Sequence, residues 1–105
     1  MSIPTDENRS LLTVVATMRA KAGREQELQE VLEGLIAPTR AEADCVTYAL
    51  HRGTQDPSVF VFVEHWTDQA SLDAHLATPH LQAALPLIPE LLDGDLVITP
   101  LDRIA

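Results

Sequence analysis

Six side chains in this 105-residue sequence pair a polar or aromatic group with an apolar setting: His75, Glu64, Trp66, Tyr48, Phe62 and His80. His75 follows Leu72 by three positions and directly precedes Leu76, so on a helix its ring shares the apolar stripe and faces the core. A neutral imidazole in a dry pocket accepts a proton from a phenol or an enolisable hydroxyketone near neutral pH. The same residue also fits a core histidine whose nitrogens bond to neighbouring groups. Glu64 lies on a mostly apolar strand face and needs a partner, because a bare buried carboxylate is costly. With His75 as that partner the two form a base and its orienting carboxylate; with Arg40 they form a structural ion pair.

Trp66, Tyr48 and Phe62 can wall a pocket for a flat molecule, with one hydroxyl from Tyr48, or can simply fill the core. His80 stands in the first turn of its helix, either at the pocket mouth or as a solvated cap residue. His51 and His65 point to the opposite sheet face and receive no catalytic role. His75 and His80 are five apart across Pro79, which does not place two ligands on one helical face, so no metal is predicted. The sequence contains no Gly-rich phosphate loop, nucleotide fingerprint, nucleophile elbow or Cys-His pair. Chemistry without a cofactor is the expectation if the chain is an enzyme.

The elements that must position these residues centre on Val59 to Trp66, a run of β-branched and aromatic residues that reads as a strand apolar on both faces. A strand Leu11–Met18 precedes it, followed by a turn at Lys21–Arg24 and a helix from Glu25. Leu28, Val31, Leu32, Leu35 and Ile36 give that helix one buried stripe. It is predicted to run to Glu42–Asp44 with a bend where Pro38 meets the carbonyl of Gly34. The strand Cys45–Arg52 joins the central one through Gly53–Pro57, with Arg52 opposite Ser58, Tyr48 opposite Phe62 and Val46 opposite Glu64. Tyr48, Phe62, Glu64 and Trp66 then share a face. Thr67 is the predicted cap of the next helix and Asp68 its first-turn acid. Thr78 caps a further segment that begins with Pro79 and buries Leu81, Leu85 and Ile88. A turn at Asp93–Asp95 leads to a last strand, Leu96–Thr99.

The order strand, helix, two strands, helix, strand is that of two split βαβ units. It predicts an α+β ferredoxin-like sandwich, an antiparallel sheet with helices on one face. The other face carries Val59, Val61, Val63 and Ala49, too much apolar surface to leave in water, so a homodimer packed sheet to sheet is expected. Length sets one domain over residues 11–105, with residues 1–10 a polar tail rather than a signal peptide. The net charge of −9 argues against nucleic acid and against an anionic membrane surface. A single cysteine, Cys45, cannot form an internal disulfide, which fits a cytoplasmic location.

A set of short motifs stands out: Lys21-Ala22-Gly23-Arg24-Glu25, Thr39-Arg40-Ala41-Glu42 with Cys45 and Tyr48, Asp56-Pro57, Glu64-His65-Trp66-Thr67-Asp68, Leu72 with His75, and Thr78-Pro79-His80. By these residues the chain, from Leu11 to about Pro100, resembles the antibiotic biosynthesis monooxygenase family of dimeric α+β barrels. The resemblance implies a pocket between sheet and helices. It also implies cofactor-free oxygenation of quinols or polycyclic phenols, or isomerisation or degradation of small sugar-like signals. Two departures stand out. Where the family often has Glu-Pro-Gly-Cys, this chain has Glu42-Ala43-Asp44-Cys45, and Asp44 is expected to take the left-handed backbone position of that glycine. Some oxygenase members use a pocket Asn, and this chain has none after Asn8.

The expectation is therefore a cofactor-independent monooxygenase for a quinol or polycyclic phenol. The alternatives are an isomerase or degrading enzyme for a small hydroxyketone, or a non-catalytic dimeric domain that binds such a molecule. A pocket with a free His75 favours an enzyme; one filled by Phe62, Trp66 and the helix leucines favours a binder.

Overall fold

The computed structural model describes residues 11–105; the tail expected over residues 1–10 lies outside the described residues. Four strands, β1 (Leu12–Arg19), β2 (Cys45–Arg52), β3 (Val59–Trp66) and β4 (Val97–Asp102), form one sheet in the order β2-β3-β1-β4. All three pairings are antiparallel. The helices are α1 (Glu25–Glu33), α2 (Ile36–Arg40), α3 (Gln69–Leu76), α4 (Pro79–Ala84) and α5 (Ile88–Leu91). This is the ferredoxin-like α+β arrangement, with helices on one face.

On β3 the alternation of side chains is sharp. Phe60, Phe62, Glu64 and Trp66 are buried under the helices, while Val59, Val61, Val63 and His65 are only half-buried. The helix-side core adds Val14 and Met18 from β1, Leu28 and Leu32 from α1, and Ile88 from α5. On the other face Val97 and Leu101 of β4 remain 52 % and 43 % exposed, placed there by pairing with Thr17 and Thr13.

Four local expectations change. The first helix does not continue to Glu42: it stops at Glu33, and Leu35 N–H bonds back to Leu32 at 3.1 Å before α2 begins. Pro38 has no N–H for the carbonyl of Gly34, so the break falls four residues before the proline rather than at it. The β2–β3 register is offset by two, with Tyr48 opposite Glu64 and Leu50 opposite Phe62, and a bulge lies between Cys45 and Thr47. A two-residue shift keeps every side chain on its face, so the predicted grouping of Tyr48, Phe62, Glu64 and Trp66 survives.

Asp68, not Thr67, caps α3, accepting from Ser71 N–H at 2.8 Å and Ser71 Oγ at 2.7 Å. Asp44 has no left-handed backbone; among the described residues only Gly23 and Gly94 have positive φ. The Glu42–Cys45 turn is closed by Cys45 N–H to Glu42 C=O at 3.2 Å, which a turn of ordinary negative φ achieves. The strand ends also shift slightly, and the last strand runs on to Asp102.

Candidate active site

Two helix starts aim the histidines. Asp68 fixes the first turn of α3, so Ser71, Leu72 and His75 all lie on its buried side. Thr78 then joins α3 to α4: its hydroxyl donates to His75 C=O at 2.7 Å and accepts from Leu81 N–H at 3.5 Å, with Pro79 opening the new helix. The helix axis changes at this joint, and His80, a turn beyond His75, comes back toward it with ring centroids 6.2 Å apart.

Glu42 is the residue on which both rings converge. Its Oε2 lies 2.8 Å from His75 Nδ1 and 2.9 Å from His80 Nε2. A Glu64–His75 pair does not form; the carboxylate that holds His75 comes from the turn that follows α2. Nor does Arg40 pair with Glu64. Its guanidinium donates from Nε and Nη2 to the carbonyl of Tyr48 at 3.1 and 2.9 Å, tying α2 to β2. Glu64 accepts instead from Trp66 Nε1 at 2.9 Å, a contact available to residues two apart on one strand face.

His75 is 2 % exposed and packed against aromatic rings, with Trp66 at 4.5 Å and Tyr48 edge-on at 5.5 Å between centroids. Burial lowers its pKa, outweighing the opposite pull of Glu42. The ring is therefore neutral near pH 7; its Nδ1–H donates to the carboxylate and Nε2 keeps the lone pair. Glu64, 4 % exposed, is pushed up to about 7, chiefly by burial, with the Trp66 N–H opposing and the charge of Glu42 adding to the rise. Tyr48 is likewise raised by burial and by the charge of Glu64, so its hydroxyl stays protonated and can only donate or accept a hydrogen bond.

His75, Glu64, Tyr48 and Phe62 line one apolar, partly open cavity of about 30 Å³ between sheet and helices, room for a water or two. Tyr48 and Phe62 are stacked at 4.5 Å. Leu85, Leu96 and Ile98 complete the wall on the β4 side, where Leu85 and Leu96 are half-buried and Ile98 is exposed. Trp66 is fully buried behind Glu64 and His75 and does not line this cavity, and neither does His80. His80 is held at Glu42 rather than solvated as a cap. His51 and His65 lie on the helix-free face as expected. Cys45 is half-buried with its thiol raised by burial, so it is no thiolate nucleophile.

Sequence reasoning missed Glu42. The predicted continuous helix made it one more residue near a helix end, and no periodicity marks it; only its place among the residues that carry the family resemblance did. The spacing argument against a metal site also assumed one helix face. The break at Thr78 removes that assumption, and the donor atoms of Glu42, His75 and His80 lie within 4.8 Å of one another.

Fold and site together define a ferredoxin-like α+β domain with a carboxylate-held histidine in an apolar cavity. A family model described as antibiotic biosynthesis monooxygenase matches residues 11–87, and the chain belongs to that family. It is similar to the Escherichia coli (strain K12) protein named "Probable quinol monooxygenase YgiN", with 34% identity over 84 residues, 70% of this chain and 80% of that protein. The solved structure of PA3566 from Pseudomonas aeruginosa superposes with a TM-score of 0.84 at 37% identity, over 90% of this chain and 95% of that one. A Synechocystis protein, sll1783, is 27% identical over 77% of this chain, which spans only 55% of that longer protein.

Proposed function

We propose that the chain is a monooxygenase that oxygenates a quinol or polycyclic phenol without a cofactor, using His75 as the base. The observation that carries this reading is the 2.8 Å contact from Glu42 to His75 Nδ1. It fixes the tautomer and leaves Nε2 of a buried, neutral imidazole free to take a proton. The phenolate so formed supplies all the electrons. One atom of O2 becomes a ring carbonyl and the other leaves as water, taking the hydrogen of the oxidised ring carbon and the proton first accepted by His75. Stacked Tyr48 and Phe62 offer a flat face to such a ring, and the relative named "Probable quinol monooxygenase YgiN" supports the substrate class. A substrate enters by displacing the Leu85, Leu96 and Ile98 wall. The test is oxygen uptake with a panel of quinols and polycyclic phenols. Uptake that is lost in a folded His75→Ala variant supports the reading, and no uptake with any of them sinks it. The small cavity volume favours a second reading, a non-catalytic domain that binds such a molecule; tight binding without turnover is its signature.

The working unit in this reading is a homodimer. The helix-free face presents Val15, Val59, Val61 and Val63 half-buried and Val97 and Leu101 exposed, and a second copy packed sheet to sheet covers them. Among the described residues no helix is long and apolar enough to cross a membrane.

A further inference from the structure

The geometry points to a binding site for one divalent zinc-class metal ion on Glu42, His75 and His80, and to metal occupancy as a switch that turns the His75 base off. The switch rests on the base reading above; the site does not. Two imidazoles and one carboxylate are the donor set of open zinc sites, which leave a further position for water or ligand. Imidazole nitrogen suits zinc and its first-row neighbours far better than magnesium or calcium.

The arrangement is already close to what an ion needs. Each imidazole nitrogen stands 2.8 or 2.9 Å from one oxygen of Glu42, and the three donor atoms lie within 4.8 Å of one another. Ligand atoms around a tetrahedral zinc stand about 3.3 Å apart, given metal–ligand bonds of about 2.0–2.1 Å. Admitting the ion opens each Glu42 contact by about half an ångström and draws the two imidazole nitrogens, which lie within 4.8 Å of one another, together around it. The backbone is set for it: Thr78 fixes the joint between the two histidines, and the Glu42–Cys45 turn fixes the carboxylate. His80 and Glu42 keep some contact with solvent, with side chains 21% and 16% exposed, so an ion has a way in. His75 closes the inner side.

Ligation and base chemistry exclude each other at His75. A metal on Nδ1 takes that nitrogen's lone pair, so the ring proton moves to Nε2, the atom that would accept the substrate proton. No net proton is released by this tautomer change. The bound state holds a metal and no base; the free state holds a base oriented by Glu42.

Chelator-treated full-length protein titrated with Zn2+ by calorimetry and with Co2+ by visible absorbance tests both parts. One ion per chain and a tetrahedral Co2+ spectrum are expected, with micromolar or tighter affinity. His80→Ala and Glu42→Gln should weaken binding by more than the roughly 10–100-fold that loss of an outer-shell partner costs. His51→Ala and His65→Ala, on the far face, should leave it unchanged. Absence of stoichiometric binding, or binding indifferent to His80→Ala, overturns the site and leaves the base reading untouched. Binding at the site with undiminished oxygen uptake overturns the switch, because a base that works with Nδ1 occupied is not His75.

Discussion

Glu42 and His75, thirty-three residues apart in sequence, meet at 2.8 Å through a carboxylate oxygen and Nδ1. The contact joins the turn that follows α2 to the last turn of α3. It decides which nitrogen of a buried ring keeps its lone pair, and the experiments below depend on it.

Removing the base is the first of them. His75→Ala should lower turnover by about 10²–10⁴, the range general-base catalysis contributes, while stability falls by roughly 1–3 kcal/mol for the lost buried partner. Melting and oxygen uptake on one chelator-treated preparation separate the two effects. Full turnover in a folded variant would falsify the assignment of His75.

The two carboxylates should differ. Glu42→Ala releases the His75 tautomer and should reduce kcat by roughly 10²–10⁴, since loss of an orienting carboxylate reaches about 10⁴ elsewhere. Glu64→Gln keeps a hydrogen-bond acceptor for Trp66 and should cost less. If Glu64→Gln is the more damaging, the orienting role belongs to Glu64 after all.

Glu64 also gives the protein a pH signature. Its folded-state pKa of about 7 lies above the unfolded value of 4.5, so the folded chain binds more protons between those values. Its contribution is fully present below about pH 4.5 and is lost as pH rises through about 7. The total is on the order of 3 kcal/mol. Denaturant unfolding of wild type and Glu64→Gln at several pH values reads it as a difference. Parallel stability curves from pH 4.5 to 7.5 would contradict the buried, raised carboxyl.

Dimerisation has its own test. Val61→Lys or Val63→Lys puts a charge on the helix-free face without entering the cavity. Either should shift sedimentation from dimer to monomer at micromolar concentration. A wild-type chain that is already a stable monomer removes the premise.

At Gly53 an added Cβ would run into the carbonyl of Asp56, within the loop where Asp56 accepts from Ser58 N–H at 3.1 Å and pairs with Arg19. Gly53→Ala should destabilise by roughly 1–3 kcal/mol, as overpacking does. Thermal melting measures it, and an unchanged midpoint would mean the loop relaxes freely.

The sequence carried the architecture because its signals are periodic. β3 alternates large side chains along one face, and Thr78-Pro79 writes a helix start in two residues. His75 was legible as a buried ring for the same reason. What it touches was not. Its partner depends on where α1 breaks, and that break comes from a missing N–H at Pro38 acting on a carbonyl four residues earlier. The β2 register was off by two because a bulge between Cys45 and Thr47 leaves no mark in composition. The His75–His80 convergence was hidden by treating one spacing as one helix, although the cap that divides them was read correctly.

β4 ends the sheet and has two duties. Ile98 closes the cavity on one side, while Val97 and Leu101 face out on the other. A body that covers the outer face and one that fills the cavity would touch the same strand. Where covering the outer face moves Ile98, cavity occupancy and sheet coverage must each shift the affinity for the other by the same factor.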